Sequence, residues 1–217
     1  MAHSRAGRGR AGSAGAAGAA LVAGVLAAAP GPGLDALAAQ EGEPRPRHEM
    51  ARVVDAVEHL DDLRSSLATA FAEGGAEADR ETFRRVCRPV GETARRMAVE
   101  NGWVVAQLSR KHRNPAHAPD AAAERVLQRM EEDGDLVALW TRATVEDRPG
   151  SRYLRRITVE PACLACHGER ERRPAFVKEG YPRDRAHGFE PGDLRGVYSV
   201  FVPDSALGRR PTPDGGR

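Results

Sequence analysis

The sequence predicts an α+β domain. In the N-terminal half, apolar residues recur at intervals of three and four, the spacing of amphipathic helices. In the C-terminal half, short runs rich in β-branched and aromatic residues are separated by turn residues, which is the pattern of strands. Helices first and strands later favour an antiparallel sheet with helices packed on it. The length of 217 residues suits one core-bearing domain.

Residues 1–39 have the composition of a signal peptide. Three arginines and no acid precede an apolar run from Ala16 to Ala29, and small residues follow at the spacing that signal peptidase reads. The apolar run is too short to span a bilayer, and we find no other candidate span. We therefore expect an exported, periplasmic protein that begins near Ala39 or Gln40, with a flexible leader at 40–48 and no membrane span in the mature chain.

Two long helices are predicted next. The first begins at Glu49 and stops at Gly74 and Gly75; its apolar face is Val53, Val57, Leu60, Leu63, Leu67 and Phe71. The second runs from about Ala76 to Glu100. Pro89 cannot donate a backbone hydrogen bond, so we expect this helix to kink or restart beside Cys87.

Strands dominate the rest of the predicted domain, which we place at 49–205. A third helix capped by Asp120 interrupts them at Ala121–Glu132. The turn between the second and third strands is expected at Asp147–Gly150, and the tail 206–217 is expected to be disordered for lack of apolar residues. The predicted strands are Trp103–Leu108, Leu136–Ala143, Tyr153–Val159 and Gly196–Val202.

The charge balance argues against a nucleic-acid partner. The chain has 33 Lys and Arg against 31 Asp and Glu, and its formal net charge is +2. Nucleic-acid binding needs a concentrated basic face, and none is segregated in the sequence.

Cys163-Leu164-Ala165-Cys166-His167 is the attachment signature of c-type haem. In this signature the two thiols add to the haem vinyl groups and the histidine becomes an iron ligand. One alternative is a Cys163–Cys166 redox disulfide, but that expects a thioredoxin-like strand-to-helix context, whereas a Gly-rich charged loop is predicted here. Another is a zinc site, which needs four converging ligands.

Cys87 is the third cysteine and has no partner left if the other two bind haem. An odd thiol in an exported protein asks for an explanation. Cys87 could be a buried core residue on an apolar helix face, or it could supply the second axial ligand to the iron. The other candidates for that position are Met50, Met97, Met130, His112, His117 and His187.

Several motifs in order resemble the PAS-like mono-haem c family. They are Cys87, Gly102-Trp103, the run Ser109–Asp120, Cys163–Gly168, Tyr181–Gly188 and Gly192–Gly196, within a match that spans about residues 50–203. The resemblance implies a PAS-like fold, an antiparallel sheet carrying long N-terminal helices, and one covalent haem. It also implies His167 as the proximal ligand and Cys87 as the distal one. His117 stands where the family usually has Asn, so histidine remains an alternative distal ligand.

Haem also needs an apolar slot and cations for its propionates. The candidates for the slot are Trp103, Trp140, Tyr153 and Phe189, with plain core packing as the alternative for each. The candidate cations are Arg110, Arg113 and Arg195, with a solvated surface position as their alternative.

Six-coordinate iron leaves no position for a substrate, so we expect a protein that is not an enzyme. A thiolate ligand stabilises ferric iron. The preferred hypothesis is a sensor in which reduction or a diatomic gas displaces Cys87 and a signalling partner reads the change. The alternative is an electron carrier that serves a redox partner.

Overall fold

The computed structural model describes residues 46–75 and 77–208. The predicted signal peptide, 1–39, lies outside this part of the chain. The structure is α+β, as the sequence predicts. Its helices are α1 (Pro46–Glu73), α2 (Arg80–Asn101), α3 (Ala121–Glu132), α4 (Leu164–His167) and α5 (Ala175–Gly180). Its strands are β1 (Val104–Leu108), β2 (Ala138–Val145), β3 (Arg148–Thr158) and β4 (Leu194–Pro203).

The four strands form one antiparallel sheet in the order β1-β4-β3-β2. Because side chains alternate across a strand, Tyr153 and Tyr198 face α1 and α2, whereas Leu154 and Val197 face α3. The sheet is therefore covered on both faces, by the two long helices on one side and by α3 on the other.

Helix α1 begins at Pro46, inside the segment predicted as a flexible leader. Proline suits the first turn because its missing N–H would have no helical partner there. Val53, Val57 and Leu60 are completely buried against the sheet, as the periodicity predicts. Residues 46–48 of the predicted leader are thus helical, and residues 40–45 lie outside the described residues.

Helix α2 is continuous through Pro89, so the predicted restart beside Cys87 is wrong. Asp79 caps its start by accepting from the Thr82 N–H at 2.7 Å, and the Thr82 hydroxyl oxygen accepts from the Asp79 N–H. Gly102 ends it with a φ of 66°. Val90 and Met97 after the proline are buried in the core, and this packing outweighs the hydrogen bond that Pro89 cannot make.

The turn between β2 and β3 is at Glu146 and Asp147, whose φ values are 50° and 60°. The predicted turn at Asp147–Gly150 is therefore displaced, and Gly150 lies within β3. A Cβ at Gly150 would stand 2.3 Å from the Val202 carbonyl oxygen. Glycine is required there by the close approach of β4, which the sequence reading mistook for a turn signal.

The prediction of a disordered tail at 206–217 is wrong for its first residues. Leu207 is completely buried in the core beside Ala206, and the chain turns there through Gly208. The Leu207 side chain packs in the same core cluster as Val53 of α1 and Val90 of α2. The composition of the tail does not reveal this packing. Residues 209–217 lie outside the described part of the chain.

Within the described residues, no helix combines the length and the apolar character needed to cross a membrane.

Candidate functional site

The Cys163–His167 segment follows β3 as two short helical turns. A 3-10 turn, Pro161–Cys163, leads directly into α4, which carries Cys166 and His167. The sequence analysis predicted a loop here and used that loop as an argument against a redox disulfide. Because the strand is followed by helical turns, this argument does not hold. All three cysteines are free thiols in the structure.

One cavity of about 190 Å³ collects the predicted ligands. Cys87 reaches it from α2, and Cys163, Cys166 and His167 reach it from the segment after β3. Cys87 is accessible at the wall of the cavity and does not belong to the core, so its alternative as a buried core cysteine is wrong. Cys87 and Cys163 are 76 positions apart in the sequence and line the same cavity, as expected if both serve one ligand.

The orientation of the His167 ring is fixed by one hydrogen bond. Its Nδ1 lies 2.7 Å from the carbonyl oxygen of Ala186. A carbonyl can only accept, so Nδ1 carries the proton and Nε2 keeps its lone pair for a ligand. Burial, followed by the charges of Arg195 and Arg113, lowers the pKa of His167 to about 3. The imidazole is therefore neutral at neutral pH, which is the form that binds metals.

Asp184 holds the loop that supplies this carbonyl. Its buried carboxylate accepts from the Ala186 N–H at 2.9 Å, from Arg173 at 2.7 Å and from Arg113 at 3.3 Å. Burial alone would raise the pKa of Asp184, but the hydrogen bond from Ala186 and the two guanidinium groups lower it. Arg113 also donates to the Cys166 carbonyl at 3.1 Å and so ties this loop to the cysteine segment.

Arg195 lines the cavity without an acidic partner among the described residues. It donates to the Ser109 hydroxyl at 2.9 Å and to the Lys111 carbonyl at 3.2 Å, and it lies over the Phe189 ring. Burial and the neighbouring charge of Arg113 lower its pKa to about 10. A cation that is surrounded by neutral acceptors and faces a cavity is suited to receive an anion.

Two predicted cofactor-binding residues do not reach the cavity. Arg110 pairs with Glu124, at 2.6 Å, and with Glu131. Trp103 is core, and its indole N–H donates to Glu49 at 2.9 Å.

The other aromatic candidates are also absent from the cavity wall. Trp140 and Tyr153 pack on each other with ring centroids 5.0 Å apart, and Phe189 lies edge-on to His167. The apolar wall is built instead from residues of both long helices, of the sheet and of the segment after β3. They are Ala68, Phe71, Phe83, Val86, Val90, Leu108, Ile157, Ala162 and Ala165. For Phe71, the apolar face predicted for the first helix was the available signal.

The alternatives for the distal ligand are narrowed by position. Met97 and Met130 are core residues, and Met50 packs against the core. Among the described residues, the histidines that line the cavity besides His167 are His112 and His117. Burial and the charge of Arg195 lower the pKa of His117. Cys87, His112 and His117 therefore remain as candidates.

The donor set fits a plate-like cofactor better than a bare metal ion. Over the described residues, no three His, Cys, Asp or Glu side chains converge closely enough to hold an ion, which argues against zinc. The thiols and the imidazole are instead spread around a cavity whose wall is partly apolar and partly cationic. Residues of these kinds could hold a haem, with cysteine sulfurs at its vinyl groups and a histidine at its iron.

Fold and site define a small α+β domain with a cavity lined by thiols, an imidazole and arginines. The family model of Tll0287-like proteins matches residues 45–203, and the chain belongs to this family. Among solved structures, the cyanobacterial heme-protein Tll0287 is 46% identical, with a TM-score of 0.63. The match covers 71% of this chain and 94% of that one. Comparison with curated proteins gives no match.

Proposed function

We propose that this chain is an exported protein that carries one covalent haem c and senses redox state or a diatomic gas. The observation that carries the proposal is the single cavity shared by Cys87, Cys163, Cys166 and His167. The solved relative, a heme-protein, supports a haem in this cavity. When bound, haem supplies an iron that can change oxidation state and take up small ligands.

The residues around the cavity have distinct proposed roles. Cys163 and Cys166 provide the two thioether sulfurs, and His167 provides the proximal nitrogen because its Nε2 is free. Arg195, which has no acidic partner among the described residues, would receive one propionate. Arg113 also lines the cavity and would receive the other through Nη1, since its bonds to Asp184 and Cys166 use Nε and Nη2. The apolar side chains from α1 and α2 keep water from the ring.

Cys87 is the proposed distal ligand and the releasable one. Although Cys87 is accessible from the cavity, the protein atoms packed around it displace water, and this burial, followed by the neighbouring Cys166, raises the pKa of Cys87 to about 11. A thiolate at Cys87 would therefore depend on a cation beside it, which the ferric iron of a bound haem would supply. Reduction would lower the positive charge of that iron and so favour the neutral thiol. We expect reduction or gas binding to release Cys87, and α2, which carries it, to pass the change to a signalling partner.

The remaining parts of the proposal follow from ligation and export. If Cys87 and His167 both held the iron, no position on it would remain for a substrate, and the protein would not be an enzyme. The signal peptide predicted at 1–39 and the proposed c-type attachment both favour a periplasmic location. The PAS-like character implied by the sequence motifs is typical of sensory domains.

Two measurements on the matured protein test the ligands and the function. Cys87→Ala should lose the thiolate signature in optical and EPR spectra, and unchanged low-spin spectra would remove Cys87 from the iron. The ferrous protein should bind carbon monoxide rapidly if the chain is a sensor. Inert ligation at a measured reduction potential would instead favour an electron carrier with a redox partner.

A further inference from the structure

The sulfur of Cys163 has a cationic hydrogen-bond donor, which the sequence did not reveal. The Nη1 atom of Arg64 lies 3.6 Å from Cys163 Sγ, within hydrogen-bond range for sulfur. In the described part of the chain, no side chain donates to the sulfur of Cys87 or Cys166. The cavity thiols are therefore chemically unequal, although all three line the same space.

Arg64 is held firmly in this position. Its Nε donates to Asp61 at 2.9 Å, and its Nη2 donates to Glu160 at 2.8 Å. Only 16% of the Arg64 side chain is exposed. With two of its three nitrogens bound to carboxylates, the guanidinium has one orientation, and in that orientation Nη1 points at the sulfur.

The two carboxylates have other donors besides Arg64. Asp61 also accepts from Arg155 at 2.6 Å and from the buried Tyr198 hydroxyl at 3.1 Å. Glu160 also accepts from the Ser65 hydroxyl at 2.7 Å. Since the two acids bind Nε and Nη2 of Arg64, its Nη1 N–H remains available to negative charge on the Cys163 sulfur.

We propose that Arg64 is a positioning residue that makes Cys163 the first thiol to react with a vinyl group of haem. This inference rests on the proposed haem attachment. The Cys163 sulfur forms a bond to the vinyl carbon next to the ring, and the thiol proton ends on the terminal carbon. The double bond becomes single, and no electron is gained or lost overall. The Arg64 N–H donates to this sulfur and faces the negative charge that develops on it as the new bond forms.

The first test measures the thiols of the reduced, haem-free full chain. Limiting iodoacetamide at fixed pH, followed by digestion and mass spectrometry, gives a separate alkylation rate for each cysteine. Cys163 should react faster than Cys166. Arg64→Met should slow Cys163 by roughly fivefold to tenfold and leave the other two unchanged, because that factor corresponds to about 1–1.4 kcal/mol, the net contribution of one hydrogen bond. Arg64→Lys should recover part of the rate.

Arg110→Met is the matched control, since Arg110 forms ion pairs away from the cavity. It should not change the ratio of the Cys163 rate to the Cys166 rate. Equal rates for these thiols in the wild-type chain, or equal slowing of all three by Arg64→Met, would overturn the role of Arg64. The second result would show a general loss of structure and not a local effect.

A second measurement follows the vinyl step itself. Ferrous haem is added to the reduced single-thiol chains Cys166→Ser and Cys163→Ser, and thioether formation is timed by mass. The chain that keeps Cys163 should react first. Absence of any thioether in the wild-type chain produced with a cytochrome c maturation system would overturn the proposed function. Normal thioether formation with equal rates in the two variants would overturn this inference alone.

Discussion

At the scale of single residues, two successive hydrogen bonds set the direction of the His167 ring. The Asp184 carboxylate fixes the Ala186 N–H, and the Ala186 carbonyl accepts from His167 Nδ1 at 2.7 Å. Arg113 and Arg173 neutralise the same carboxylate. Asp184 thus acts on the imidazole through the backbone, in the way outer partners orient metal-binding histidines.

Asp184→Asn tests this arrangement. The amide keeps the acceptor for Ala186 but removes the charge between two arginines, and breaking a buried ion pair costs about 3–5 kcal/mol. We expect the free energy of unfolding of the haem-free chain, measured in urea, to fall by about 2–4 kcal/mol, since one hydrogen bond remains. Glu169→Gln is the control, because Glu169 forms an exposed ion pair with Arg172 in which the charged atoms are 3.9 Å apart. Equal effects of the two substitutions would contradict the account.

The residues that sequence reasoning found differ in kind from those it missed. Cys163, Cys166 and His167 were predicted because their spacing is set by covalent chemistry within five consecutive positions. Arg64 was missed because it meets Cys163 across 99 positions. Arg110 was wrongly favoured, since a sequence cannot show which arginines already have acidic neighbours.

At the scale of elements, α2 presents Cys87 from an uninterrupted helix. Local signals predicted most of the helices well. Asp120 caps α3, and α3 has the predicted bounds, because periodicity and capping are encoded within a few residues. Pro89 and Gly150 were misread as breaks, since packing against distant elements decides what these residues do.

Pro89→Ala is expected to stabilise α2. It restores an N–H to the helix, where an interior proline costs about 3 kcal/mol and tertiary contacts have absorbed part of that cost. The free energy of unfolding should rise by about 1–3 kcal/mol in urea. Gly91→Ala, next to open space, is the comparison and should add about 0.5–1 kcal/mol. A loss of stability in Pro89→Ala would mean that α2 needs the proline.

At the scale of the whole molecule, the core is closed by residues from both ends of the domain. Val53 near the start of α1 and Leu207 after β4 belong to one buried cluster. Leu207 therefore contributes to the stability of the domain, contrary to the disorder that the composition of this segment predicts.

Leu207→Ala measures that contribution. Leu207 is completely buried, and removing a buried leucine side chain typically costs about 2–5 kcal/mol. Val99→Ala is the matched control, since Val99 is 84% exposed and should change the free energy of unfolding by less than about 0.5 kcal/mol. A Leu207→Ala effect as small as the control would return this segment to a disordered tail.

The haem-free chain should lose stability in acid because of His167. Its pKa is about 3 in the folded chain and 6.5 ordinarily, so between these values the unfolded chain binds more protons. Stability from this group is present above pH 6.5 and is lost as the pH falls toward 3. Urea unfolding at several pH values should show this slope, and His167→Gln should flatten it. An unchanged slope in the variant would contradict the buried, neutral imidazole.

The intact mass of the protein matured with a cytochrome c maturation system tests the central claim most directly. We predict the mass of the processed chain plus one haem, retained after extraction with acidified acetone and lost in Cys163→Ser/Cys166→Ser. A colourless wild-type chain of unmodified mass would contradict the account.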